Sequence, residues 1–397
     1  MNIKAISGLE YNYNLKNINR FNVSTPAMNF DCVEINSGAL SFKGVDRKSI
    51  QAYRKLAKSH AQDANVILND SDSCMRRMRS ELGFCNVIKS EAEAYKSMAL
   101  FRYEYAKALL RDAEGQLLDG QACGVLTFSD GTKGNFICFE QDDKKGLTLV
   151  KQDTVVTLFD DKLTMTNRVQ NGLEQIFTYD KDGNVQKVEQ NVGGAGALYK
   201  NLEINYENGE LTEYKEKDSM RNHYLKKYIC EGGKITKAYI SCYEDAKGCL
   251  HAGDAYSFED ENRPVLFIGF HDNQDGNTSA TSEFSFAKVG KDEYKLNEFK
   301  FRTAKNPEGK VEASKIYKYD NDKLKSMSIG QFVSQSGREV VTEHYLCDEN
   351  GRPYDVLLNA KADEEDSNFY VGDEHLHLSL ASALKEQIED FKMSWLF

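Results

Sequence analysis

Seven times between Phe177 and Cys347 the chain makes the same move: two apolar residues two positions apart, followed at once by a turn. The pairs are Phe177/Tyr179, Ile204/Tyr206, Tyr228/Cys230, Tyr256/Phe258, Phe284/Phe286, Tyr317/Tyr319 and Tyr345/Cys347. Side chains two apart share one face of a strand. The residue between them is polar in five units (Thr178, Asn205, Ser257, Ser285, Lys318) and apolar in two (Ile229, Leu346), which predicts one aromatic face and one mostly wet face. The turns that follow read "KDGN", "ENGE", "EGGK", "EDENR", "KVGKD", "DNDK" and "DENGR". Asn208-Gly209 and Gly232-Gly233 supply the positive φ that a tight hairpin requires. Each unit is therefore read as a β-hairpin. The second member of each pair recurs every 24 to 33 residues, and looser cousins at "LTFSDGTKG" and "TLFDDKLTM" bring the count to about nine hairpins. Units repeated at such a period cannot bury their own faces and do so by stacking on their neighbours. Pro264 and Pro353 fall at matching points, where the outgoing strand begins and a missing N–H is tolerated.

In six of the seven units the second apolar residue is followed by an acid, as in Tyr179-Asp180, Tyr206-Glu207 and Tyr319-Asp320. "YDKDGNV" and "CDENGRP" resemble the tyrosine-aspartate repeats of Rhs-type bacterial proteins, over roughly residues 155–360. Two of the anchors here are literal Tyr-Asp pairs. The resemblance implies antiparallel hairpins winding into an open spiral or shell, sometimes around a toxin, and a bacterial source. It implies no activity.

The flanks have different textures. Residues 1–45 hold eight asparagines and no sustained period, and read as a flexible lead. From Asp46, a plausible N-cap, the period lengthens to three and four, and three helices are expected up to residue 115. "NDSD" at 69–72 should end the first, a second should lie around Cys74–Leu82, and "SEAE" at 90–93 should open the third as a capping box. Residues 120–362 are the hairpin domain. After an acidic loop, Leu380, Leu384, Ile388, Phe391 and Trp395 form one helical stripe, expected to dock on the aromatic sheet face or the N-terminal helices.

Charge and composition narrow the function. Residues 115–397 carry a net charge of −15, which repels phosphate backbones and argues against a nucleic-acid partner. "RRMR" at 76–79 is too short for an electrostatic footprint and reads as a solvated helix face. The longest apolar runs, such as Val265–Phe270, are too short to span a bilayer, and no apolar h-region follows the start. Nine cysteines without a CxxC suit buried thiols in a reducing compartment, so a cytoplasmic setting is expected.

Candidate chemistry is sparse. In "DEHLH" at 373–377 a strand would place His375 and His377 on one face near Asp373, but no further ligand set is identifiable. Cys242, Cys249 and His251 share a loop without a zinc spacing, and Cys249 beside His251 has no oxyanion hole in view. "GGAG" at 193–196 lacks the Lys-Ser/Thr of a phosphate loop. No catalytic, cofactor-binding or metal-ligating residue is therefore assigned, and no cofactor.

The expectation is an α+β protein: a long, curled antiparallel hairpin meander covered by an N-terminal helical subdomain and a C-terminal amphipathic helix. Its expected function is non-enzymatic, an interaction or scaffold protein contacting another macromolecule, of unknown oligomeric state and without a membrane role. The alternatives are a hydrolase using acidic residues on the sheet and an exported effector or toxin-associated shell.

Overall fold

The computed structural model describes residues 47–117, 121–169, 172–192, 201–217, 224–244, 250–251, 253–260, 263–272, 278–291, 293–303, 314–333, 339–362, 370–371 and 374–378. They form one α-helix, α1 (Arg47–Glu114), and an antiparallel sheet of 21 strands from Cys123–Thr127 to Glu374–His377, with a separate two-stranded ribbon at Tyr243–Glu244 and Leu250–His251. Successive strands of the sheet pair in chain order as far as Pro353–Ala362, on which both Tyr370–Val371 and Glu374–His377 then pair, and among the described residues the first strand does not pair with the last. The meander is open.

The N-terminal helices are one helix, not three. Its 68 residues extend about 100 Å at 1.5 Å per residue. "NDSD" does not break it, because the Ser71 hydroxyl bonds back to the Leu68 carbonyl at 2.7 Å and the Ser71 side chain is buried against the sheet. The expected capping box does not form either. Ser90 donates to Asn86 O, four residues back, at 2.9 Å, as a mid-helix serine does. Local breakers cost of order 1 kcal/mol each, and burial along the whole helix outweighs them.

That burial has a period of seven. Ala57, Ala64, Ser71, Met78, Cys85, Ala92, Ala99, Ala106 and Ala113 are all buried, and most are small enough to let strands approach the helix backbone. Hairpin tyrosines use the gap. Tyr179 donates its hydroxyl to Ala99 O at 2.6 Å, Tyr206 to Ala92 O at 2.6 Å and Tyr319 to Ala64 O at 2.9 Å. Each carbonyl keeps its intrahelical bond and spends its second lone pair on the phenol. From Tyr206 to Tyr319 the chain advances four hairpins, and from Ala92 to Ala64 the helix retreats four heptads. One heptad rises about 10.5 Å and two strands occupy about 9.6 Å, so the two repeats run nearly in step. The C-terminal end of α1 meets the first hairpin, where Ser129 N–H donates to Asp112 at 2.8 Å. Its N-terminal end meets the last strand, where Arg54 donates to the Leu378 carbonyl.

All seven hairpins share a second feature. A register shift falls between the anchor residue and the one before it, at Thr178/Tyr179, Asn205/Tyr206, Ile229/Cys230, Ser257/Phe258, Ser285/Phe286, Lys318/Tyr319 and Leu346/Cys347. The outgoing strand carries one extra residue, so its inward side chains are three apart: Val185/Val188, Leu211/Tyr214, Ile235/Ala238, Pro264/Phe267, Leu296/Phe299, Leu324/Met327 and Pro353/Val356. Each hairpin thus lays four side chains on the helix-facing side. Tight turns close three of these hairpins and two earlier ones. Both central residues have positive φ at Asp142-Asp143, Asp160-Asp161, Asn208-Gly209, Gly232-Gly233 and Asn321-Asp322, the geometry whose twist matches the strands. In the longer turns Asp180 accepts the backbone N–H groups of Asp182 and Asn184, and Asp348 those of Asn350 and Arg352. This gives the acid after the anchor a structural task in these two units.

The opposite face of the sheet is partly exposed and laced by charge. Lys187, Glu203, Lys215, Glu213 and Lys227 form a cross-strand ladder with gaps of 2.8–3.8 Å. On the same face Ser328 and His344 are nevertheless buried, their side chains 2.9 Å apart. The seven described cysteines are free thiols. Among the described residues no helix is long and apolar enough to cross a membrane. The expected flexible lead, the Asp46 cap, the acidic loop after Ala362, and the C-terminal stripe from Leu380 to Trp395 lie outside the described residues.

Candidate functional site

Strands Pro353–Ala362 and Glu374–His377 bring together the one group of metal-ligating side chains found among the described residues. Strand Pro353–Ala362 is the outgoing strand of the seventh hairpin. Its bulge turns Pro353 and Val356 toward the helix and leaves Asp355 on the opposite face. Strand Glu374–His377 pairs with it in the register Asp355↔His377, Val356↔Leu376 and Leu357↔His375. Leu376 is buried in the core, and strand alternation then forces His375 and His377 onto the face of Asp355.

The three side chains touch. Asp355 Oδ1 lies 2.8 Å from His377 Nδ1, and Oδ2 lies 3.0 Å from His375 Nε2. The imidazole centroids are 4.6 Å apart. Exposure is graded: the Asp355 side chain is 8% exposed, His377 20% and His375 41%. The carboxylate forms the floor and His375 the open rim. An ionised carboxylate only accepts, so the nitrogens facing it carry the protons in this arrangement.

The sequence had placed the two histidines on one face, and they are there. Asp373 lies outside the described residues, and the partner found is Asp355. No local signal marks Asp355. It reaches the histidines only through the register of strands some twenty residues apart.

The other candidates dissolve into structure or fall outside the described residues. Cys242 is buried, with its thiol against the Ile240 and Asp254 carbonyls. Cys249 and "GGAG" at 193–196 lie outside the described residues, as does the side chain of His251. Within "RRMR", Arg77 pairs with Asp254 at 3.0 Å and stacks 4.6 Å from the Phe267 ring centroid, so it ties α1 to the sheet. A cleft of about 420 Å³ near the helix start is lined by Arg54, Lys58, Lys323 and Arg352, with Asp322 the single carboxylate.

A different kind of surface lies along the solvent side of α1. The positions two after the buried heptad residues from Ala57 to Ala106 are Ser59, Val66, Ser73, Ser80, Val87, Ala94, Phe101 and Ala108, a run of eight without a charge. Val87 is 58% and Phe101 72% exposed, and Phe84 and Leu100 flank them. Compared with known proteins, the chain matches no family model and no curated protein sequence.

Proposed function

We propose that the protein is a non-enzymatic interaction scaffold, in which the hairpin repeats hold a 100 Å-class helix rigid and present its outer side to a partner protein. The observation that carries this reading is the uncharged stripe on α1, on which Val87 and Phe101 are exposed, with Phe84 and Leu100 exposed beside them. Large apolar side chains left in solvent on the uncharged side of one helix suit an interaction surface. The stripe is about one side chain wide and advances by heptads, which suits an amphipathic helix of the partner laid alongside. The Rhs-type kinship, a bacterial source and a cytoplasmic setting belong to the same reading.

A photo-crosslinking residue placed at Val87 in the native host tests it. The expected result is one dominant crosslinked protein, which also co-purifies with the chain and is lost from a Phe84→Glu/Phe101→Glu variant whose stability is unchanged. Capture of the same protein by the charged variant, or no crosslink at Val87, overturns the proposal.

A further inference from the structure

We infer that Asp355, His375 and His377 form a binding site for a borderline divalent transition cation, of which Zn²⁺ is the type, clipping the terminal strand Glu374–His377 to strand Pro353–Ala362. This goes beyond the scaffold reading and does not depend on it.

The donor set selects the cation. Two imidazole nitrogens and one carboxylate oxygen suit zinc and its neighbours in the transition series, whereas Ca²⁺ and Mg²⁺ require shells made chiefly of oxygen. The three donor atoms lie within 4.8 Å of one another. A tetrahedral ion with bonds of about 2.0–2.1 Å sets its ligand atoms about 3.3 Å apart. The carboxylate–imidazole separations of 2.8 and 3.0 Å lie a few tenths below that value, so small side-chain rotations admit the ion.

The protons also balance. Without a cation, His375 Nε2 and His377 Nδ1 face Asp355 at hydrogen-bond distance, and an ionised carboxylate there accepts from both. A neutral imidazole has one N–H, so binding moves that proton to the other ring nitrogen and frees the inward lone pair. Water leaves the cation's shell as the three ligands enter. The 41% exposure of His375 leaves the fourth position to solvent, a three-ligand site with one coordination place open.

The placement gives the site a consequence. Glu374–His377 is four residues long and lies at the end of the sheet. The ligands span sequence separations of 20 and 22 residues, so the cation closes a loop that is otherwise held by a short edge strand. Binding to the folded state alone raises its stability by mass action.

The test uses the full chain, dialysed against chelator and titrated with Co²⁺, then with Zn²⁺ in competition. The expected result is one tight equivalent whose visible spectrum shows nitrogen and oxygen ligands without a thiolate charge-transfer band, which separates this site from the nine cysteines. Zn²⁺ should raise the melting temperature and slow hydrogen exchange of the 374–377 amides roughly tenfold. His375→Gln, at the exposed rim, should keep the cation-free melting temperature and lose all three responses. Asp355→Asn should lose them too, and if it folds poorly the His375→Gln result decides. Wild-type Co²⁺ affinity and spectrum in His375→Gln, or no uptake by the wild type at about 100 μM Co²⁺, overturns the inference.

Discussion

His344 is a buried imidazole and His60 a largely buried one, and the fold disfavours the charged form of each. Burial, followed by the nearby Lys318 charge, brings His344 from 6.5 down to about 4. Burial and Lys315 bring His60 down to about 4, with Asp63 pulling weakly the other way. A depressed folded-state value means the unfolded chain takes up the proton first. The contribution to stability is complete above pH 6.5 and is lost as the pH falls toward 4. A shift of this size corresponds to roughly 3 kcal/mol for each histidine as a ceiling. Glu81 and Glu343 act in the opposite sense, because burial raises both, so their contribution is largest at low pH and is lost as pH rises. A comparison of variants separates the two effects. His344→Gln should be less stable than the wild type at pH 7.5 and should lose less stability between pH 7.5 and 4.5 when denaturant midpoints are compared. Parallel curves for the two proteins would show that His344 is not held neutral by the fold.

The hairpins were legible because their signals are local: a period of two, then Asn-Gly, Gly-Gly or an acid at the turn. Their turn glycines make a graded test. At Gly209, with φ +78°, an added Cβ meets only Lys96 Nζ at 3.9 Å, so the cost of Gly209→Val is conformational, about 1–3 kcal/mol. At Gly183, with φ +84°, the added Cβ would sit 2.5 Å from the Tyr103 ring, and Tyr103 packs in turn against Tyr179 at a centroid distance of 5.0 Å. Gly183→Val should therefore cost more than Gly209→Val in urea melts. Equal midpoints would mean that Tyr103 yields freely and the turn is not seated on the helix. The extra residue on each outgoing strand was also written in the sequence, as inward apolar residues three apart, but it reads as strand irregularity until the partner strand is known. The single helix was hidden differently. "NDSD", Gly83 and "SEAE" are true local breakers and caps, and only the sheet beneath them keeps the helix continuous. Asp355 was illegible for a third reason, since a cross-strand neighbour has no signature in either strand.

The matching of one heptad to one hairpin makes helix and sheet a single repeat read twice. Ala57 to Ala113 in steps of seven, and Tyr179 to Cys347 in steps of one hairpin, are the same ruler in two materials. A stack of this kind behaves as repeats with nearest-neighbour interfaces, so a unit should be removable if both halves are removed together. Deleting Asp180–Tyr206 takes out one hairpin and joins Tyr179 directly to the Asn208-Gly209 turn through Glu207. Deleting Glu93–Ala99 takes out one heptad and brings Tyr179 over Ala92, the carbonyl that Tyr206 uses in the intact chain. Either deletion alone sets every hairpin on one side of the cut out of step with the helix, and strips tyrosines of their carbonyl acceptors and small-residue seats. The double deletion restores the step. Thermal melts should show both single deletions strongly destabilised, and the double deletion should unfold cooperatively at a higher temperature than either, with a favourable coupling of about 1–3 kcal/mol. A double deletion no more stable than the worse single would mean that the helix is held by side-chain contacts particular to each turn, and that the shared period of seven does not set the register.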